Sequence, residues 1–170
     1  MQIYENALTE HTLSIVHREL TNFMEQPDKW TCSNFKWKPD IKINICGTTM
    51  ICTVSEGLTN VIFEDLEGII PPINRKGIQY CVWTPNSGIS THNDAKYKFG
   101  ATIYLNDIWD INDGGIFLYQ HDGDDWRAHV PTFNTMMIND TGTLHMVTPV
   151  SPFAKHNRYT IQIFGDLKDE

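Results

Sequence analysis

The residues Thr91-His92-Asn93-Asp94 place an imidazole and a carboxylate two positions apart. On an extended strand residues i and i+2 project from the same face, so His92 and Asp94 would stand side by side. One nitrogen and one oxygen donor at that spacing are two of the three ligands of a two-histidine, one-carboxylate facial triad. That set holds Fe(II) and leaves positions open for substrate and oxygen. A third ligand is required. By itself His-x-Asp is short enough to arise by chance, and two polar residues on an exposed strand or turn explain it more simply.

Seven histidines supply candidates for the third ligand. His11 and His17 lie in a helical pattern, His121 and His129 flank the polar loop Asp122-Gly123-Asp124-Asp125, and His156 sits in a Pro-containing loop; solvation accounts for each. His145 differs, because Leu144-His145-Met146-Val147-Thr148-Pro149-Val150 sets it within an apolar strand pattern. A hydrogen-bonded core histidine and a metal ligand both need that burial. Further on, Arg158-Tyr159-Thr160-Ile161-Gln162-Ile163-Phe164 alternates, with Arg158, Thr160 and Gln162 on one face. An arginine facing the inside of a barrel carries an uncompensated charge, which is costly unless an anion arrives. A ligand carboxylate would pair with it bidentately, with the Thr160 hydroxyl one strand step away. Tyr104, sharing a strand face with Thr102 and Asn106, is a second carboxylate donor. An outward-facing Arg158, or one paired with an internal aspartate, is the rival reading.

These residues need elements to carry them. From Thr9 to about Gln26, Leu13, Val16, Leu20, Phe23 and Met24 recur at spacings of three and four, the pattern of an amphipathic helix ended by Pro27-Asp28. Trp30, Phe35 and Trp37 follow, aromatic residues best used to pack on that helix. Ile41, Ile43 and Ile45 alternate as a half-buried strand, and Gly47-Thr48-Thr49 reads as a turn. Ser55 is the expected N-cap of a second helix through Leu58, Ile62, Leu66 and on toward Ile69, closed by Gly68 or Pro71-Pro72. After Pro72 short segments rich in β-branched and aromatic residues predict strands near 78–84, 90–94, 99–106, 115–120, 127–131, 134–139, 144–148 and 157–165. Eight short strands are what a double-stranded β-helix, the cupin-like jelly-roll, requires. The expected fold is therefore mainly β with N-terminal helices: one domain over 1–170, helical support to about residue 72 and a jelly-roll core from about 73 to 166.

Composition sets bounds. A chain of 170 residues with 41% hydrophobic and 11% aromatic residues suits one globular domain. No apolar run is long enough to span a bilayer and no signal-peptide pattern opens the chain, so a cytoplasmic location and no membrane partner are expected. The four cysteines, Cys32, Cys46, Cys52 and Cys81, form no Cys-x-x-Cys pair and read as reduced thiols. A formal net charge of −8 argues against nucleic acid as a partner. The basic clusters Lys36-Trp37-Lys38, Arg75-Lys76 and Lys96-Tyr97-Lys98 read as solvated surface. Sequence leaves the oligomeric state open.

From about Tyr80 to Asp166, six pieces occur in order: His92-Asn93-Asp94, Ile103-Tyr104-Leu105-Asn106, Trp109-Asp110, Gly114-Gly115, His145-x-Val147 and Arg158-Tyr159-Thr160. In that order they resemble the Fe(II)/2-oxoglutarate-dependent dioxygenases, specifically the prolyl-4-hydroxylase branch. The resemblance implies that His92, Asp94 and His145 are the catalytic metal ligands for Fe(II), and that Arg158, Tyr104 and Thr160 hold the distal carboxylate of 2-oxoglutarate. It implies O2 as a further co-substrate, ascorbate as an auxiliary reductant, and succinate and CO2 as products of a C–H hydroxylation. The implied substrate is a prolyl residue in a peptide or protein; a free amino acid or other small molecule comes second, and a non-catalytic cupin-like metal-binding module is the rival from another class. The chain departs from the branch in two places. Residues 151–157 lengthen the loop before Arg158 and bring in Lys155 as a second candidate anchor, and Trp83 stands where the branch tends to place a tyrosine.

Overall fold

The computed structural model describes residues 1–33, 47–95, 97–140 and 142–167, and of Arg75 and Lys76 only the backbone. The expected strand at Ile41–Ile45, Cys46, the aromatic residues Phe35 and Trp37 and the basic residues Lys36, Lys38 and Lys96 lie outside the described residues.

Two antiparallel sheets face each other. The larger is built from β1 (Gln2–Glu5), β2 (Thr31–Ser33), β3 (Thr49–Thr53), β4 (Ile73–Trp83), β6 (Phe99–Tyr104), β9 (Thr135–Asn139) and β11 (Arg158–Leu167), in the order β1-β9-β6-β11-β4-β3-β2. The smaller contains β5 (Ile89–His92), β7 (Phe117–His121), β8 (Asp125–His129) and β10 (His145–Val147), in the order β5-β10-β7-β8. The expected strands from 78 onward all form, and they are divided evenly between the sheets. This is the double-stranded β-helix expected from the sequence, with two helices on one side. The segment read as a turn at Gly47-Thr48-Thr49 instead leads into β3, and β1 and β2 were not anticipated. β1 forms one edge of the larger sheet and β3 followed by β2 extends the other, where pairing with a neighbour rather than hydrophobic alternation makes the strand.

Period-two alternation divides the apolar residues into two layers. On β4, Ile78, Tyr80 and Val82 point outward with Ile161 and Ile163 of β11, while Cys81 and Trp83 point into the barrel. The outer layer is covered by α1 (Glu10–Met24) and α2 (Glu56–Asp65). Val16 and Ile62 are fully buried there, a gain of roughly 1.5–3 kcal/mol for each such side chain. Thr9 caps α1 by accepting from the Thr12 N–H at 3.2 Å, and Ser55 caps α2 through the Leu58 N–H at 3.4 Å. α2 ends at Asp65, short of Ile69, because Gly68 takes φ +79° and Pro71-Pro72 follows. Trp30 packs on α1 as expected, its indole N–H donating to the Phe23 carbonyl at 2.7 Å.

Candidate active site

β5 and β10 pair antiparallel with His92 directly opposite His145. The ring centroids are 4.3 Å apart. Asp94, just beyond the end of β5, turns back between them: its Oδ1 lies 3.8 Å from His92 Nε2 and its Oδ2 3.4 Å from His145 Nε2. The three donor atoms all lie within 4.8 Å of one another. Two ligands in cis positions at about 2.1 Å from one ion are roughly 3 Å apart, so small side-chain rotations close this set around a metal.

The chemistry of the donors fits a divalent cation. His92 Nδ1 lies 2.7 Å from the Ser90 carbonyl and His145 Nδ1 2.9 Å from the Thr143 carbonyl. A carbonyl only accepts, so both Nδ1 atoms carry the proton and both Nε2 lone pairs face Asp94. Burial, then the neighbouring His145, holds the His92 pKa below its usual value, which favours the neutral imidazole a metal needs. Phe117 stacks on His145 at 5.3 Å between centroids and fixes the ring.

A cavity of about 480 Å³ runs from this cluster into the barrel, and Arg158 lines it with His92, Asp94 and His145. Arg158 is fully buried, and its three guanidinium nitrogens have no hydrogen-bond partner among the described residues. The guanidinium lies 5.3 Å from the Trp83 ring and 5.1 Å from the Tyr104 ring. These cation–π contacts soften the cost of burial without supplying a counter-charge. Burial pulls the Arg158 pKa down, but arginine does not give up its proton in a protein, so an anion is what this site lacks.

Local structure explains how Arg158 reaches this position. Asn106 clamps the start of β11 from both sides, donating to the Asn157 carbonyl at 2.8 Å and accepting from the Tyr159 N–H at 2.7 Å. The long loop before Arg158 is docked rather than loose: Ser151 N–H donates to the Asp113 carbonyl at 2.7 Å, and Ala154 packs against the barrel interior. Lys155 is exposed, so Arg158 and not Lys155 faces the cavity.

The other expected anchor residues are near but engaged. Tyr104 is buried and its hydroxyl donates to Met137 Sδ at 3.3 Å, while burial pushes its pKa up to about 12. Thr160 Oγ1 accepts from the Trp83 indole N–H at 3.3 Å and donates to the Cys81 carbonyl at 3.5 Å. His129, expected to be solvated, instead sits half-buried with its ring 5.4 Å from Tyr104. It faces the same side of the smaller sheet as its cross-strand partner Phe117. No local signal marks this, since alternation on β8 puts His129 on the face of Asp125 and Arg127, opposite Trp126 and Ala128. Trp83 was not expected to pack on Arg158; in sequence it is one more inward aromatic.

A triad able to hold a metal ion and a buried arginine without a counter-anion line one jelly-roll cavity, a donor set that fits a non-haem iron oxygenase. The sequence model of the 2OG-Fe(II) oxygenase superfamily matches residues 78–165. The chain belongs to that superfamily, and with it come Fe(II) and 2-oxoglutarate as cofactor and co-substrate. No curated protein sequence matches the chain significantly. Among solved structures, a Pseudomonas putida prolyl-4-hydroxylase superposes with a TM-score of 0.69 at 13% identity, covering 98% of this chain and 92% of that one. A Trichoplax adhaerens prolyl hydroxylase in complex with a hypoxia inducible factor oxygen degradation domain peptide gives 0.69 at 16%, covering 97% and 82%. The non-haem epimerase SnoN from nogalamycin biosynthesis gives 0.62 at 12%, covering 96% and 77%. These likenesses establish the fold.

Proposed function

We propose that this oxygenase hydroxylates an unactivated C–H bond of a prolyl residue in a peptide or protein, converting 2-oxoglutarate to succinate and CO2. The observation that carries the reading is the pairing, within one cavity, of the His92/Asp94/His145 cluster with the unpartnered Arg158 guanidinium. His92, Asp94 and His145 would hold Fe(II), which supplies the open coordination positions for the keto acid and for O2. Arg158 would hold the distal carboxylate as a bidentate, charge-assisted pair. Tyr104 and Thr160 would assist only after turning from Met137 and Cys81. Phe117, Ile89 and Val147 wall the site against water.

Two considerations favour a prolyl substrate. Two of the similar structures are prolyl hydroxylases, one holding a peptide. Among the described residues, the charged side chains lining the cavity besides the histidines are Asp94 and Arg158, and both have roles already. The remaining walls, Gln79, Asn139, Tyr97 and Phe164, suit an uncharged residue within a chain better than a zwitterion. The likeness to an epimerase of nogalamycin biosynthesis supports a small-molecule substrate as the second reading. We place the activity in a single domain spanning 1–170 and in the cytoplasm, with ascorbate keeping the iron reduced. No described helix is long and apolar enough to cross a membrane.

The test is succinate formation from 2-oxoglutarate with Fe(II) and O2, with proline-containing peptides and free amino acids offered in parallel. Succinate released in step with a peptide that gains one oxygen on proline supports the reading. Stimulation by free amino acids alone moves the assignment to the second reading.

A further inference from the structure

The inward face of the larger sheet is arranged in cross-strand rows, and Gln162 occupies one of them. Arg158 pairs with Trp83, Thr160 with Cys81 and Tyr104, Gln162 with Gln79 and Thr102, and Phe164 with Gly77 and Gly100. The last row is the metal end, because a Cβ at Gly100 would lie 3.9 Å from Asp94 Oδ2. Same-face residues on a strand are about 6.7 Å apart. Gln162 is therefore one step from the metal row and two steps from the Arg158 row, and it lines the cavity.

Its amide has a fixed sense. Trp83's indole can only donate, so Thr160 Oγ1 accepts from it, and the single Thr160 proton is turned to the Cys81 carbonyl. Thr160 can then only accept from Gln162, so the atom 3.4 Å away is the Gln162 nitrogen. At the other end the Thr102 hydroxyl donates to Gln162 Oε1 at 3.0 Å. Thr160 selects this orientation, and the Thr102 hydroxyl, which can donate or accept, meets it as a donor. The carbonyl is occupied, one N–H goes to Thr160, and the second N–H is left for the cavity.

We infer that Gln162, held in this sense by Thr102 and Thr160, is a positioning residue that donates to the 2-oxo acid head of the co-substrate, beside the metal, while Arg158 holds the far carboxylate. This rests on the reading of the cavity as the 2-oxoglutarate site. An uncharged donor at that height adds no cation that would compete with the metal for the carboxylate, and it sets the plane in which the keto acid approaches His92 and His145.

The experiment is anaerobic calorimetric titration of the Fe(II)-loaded full chain with two ligands: 2-oxoglutarate, and 2-oxobutyrate, which keeps the 2-oxo acid head but lacks the distal carboxylate. Gln162→Leu should weaken both by about tenfold or more, the effect of removing a hydrogen bond to a charged group. Gln162→Glu, which replaces the donor by an anion of the same shape, should weaken both at least as much. Thr102→Val, which releases the amide carbonyl, should give a smaller loss for both. Arg158→Ala should weaken 2-oxoglutarate and leave 2-oxobutyrate nearly unchanged. Iron affinity and thermal midpoint serve as controls for folding in every variant. Unchanged affinity of Gln162→Leu and Gln162→Glu for both ligands overturns the inference, as does a loss confined to 2-oxoglutarate, which would put Gln162 with the distal carboxylate. If the wild-type protein binds neither ligand, the co-substrate reading falls and takes this inference with it.

Discussion

Gly115 and Arg158 are in a close approach that only glycine permits: a Cβ on Gly115 would lie 2.7 Å from Arg158 Cδ and 3.4 Å from the Trp109 ring. Gly115 also has φ +60°, and the preceding Gly114 has φ +69° with its missing Cβ aimed at the Pro149 carbonyl. The Gly114-Gly115 pair thus forms the floor on which the buried arginine lies. Gly115→Ala should strain both backbone and guanidinium, costing about 1–3 kcal/mol of stability and weakening 2-oxoglutarate. Urea unfolding and a co-substrate titration check this. A variant with wild-type midpoint and wild-type affinity would show that the contact relaxes at no cost.

Arg158→Ala should weaken 2-oxoglutarate roughly a hundredfold or more, since removing one partner of a buried charge pair costs on the order of 3–5 kcal/mol. Arg158→Lys should recover only part, because an ammonium cannot reproduce the planar fork or its packing between Trp83 and Tyr104. Lys155→Ala, on the exposed loop, should change little. The ordering is read by titrating 2-oxoglutarate anaerobically into each Fe(II)-loaded variant, and loss of affinity in Lys155→Ala instead would reverse the assignment.

The features legible in the sequence were those with a strong local signal. The strand alternation around Arg158 puts it on one face with Thr160 and Gln162 and leaves open which face is inward, while His-x-Asp followed by a histidine in an apolar strand points to His92, Asp94 and His145 as the candidate set. The outer strands were missed because β1 and β3 take their form from pairing, Gln2–Glu5 on Thr135–Ile138 and Thr49–Thr53 on Gln79–Trp83, and β2 in turn pairs on β3. His129 was misplaced because its burial is decided by Tyr104, distant in sequence and on the opposite sheet. The engagement of Thr160 by Trp83 was likewise invisible, since it depends on the register between β4 and β11.

His92→Ala, Asp94→Ala and His145→Ala should each abolish tight Fe(II) binding, whereas the wild type binds one equivalent. The three donors face a common point, and the loss of any one leaves two ligands. Iron content after dialysis is the measurement; equal content in the wild type and all three variants would remove the triad as the metal site.

The cysteines give a prediction about alkaline stability. Cys81 is buried in the barrel wall and burial pushes its pKa up to about 12, while Cys52, buried beneath the helices, is also raised and Cys32 is exposed. An unfolded thiol titrates near about 8.5. Below that value the Cys81 thiol is protonated in both states and its contribution to stability is fully present. As pH rises past about 8.5 the unfolded chain loses a proton that the folded chain keeps, so stability falls, with a slope set by that one-proton difference, until about 12. By pH 10 the loss from this one group is of the order of 2 kcal/mol. Cys81→Ala removes that slope, so the stability gap between wild type and variant should narrow as pH is raised from 8 to 10, tyrosine ionisation being common to both proteins. Urea unfolding at several pH values reads the gap, and a gap that stays constant would mean that Cys81 ionises in the folded protein as readily as in the unfolded chain. Iodoacetamide at pH 8 supplies an independent check: Cys32 should be alkylated in the native protein, and Cys81 only once the barrel is unfolded.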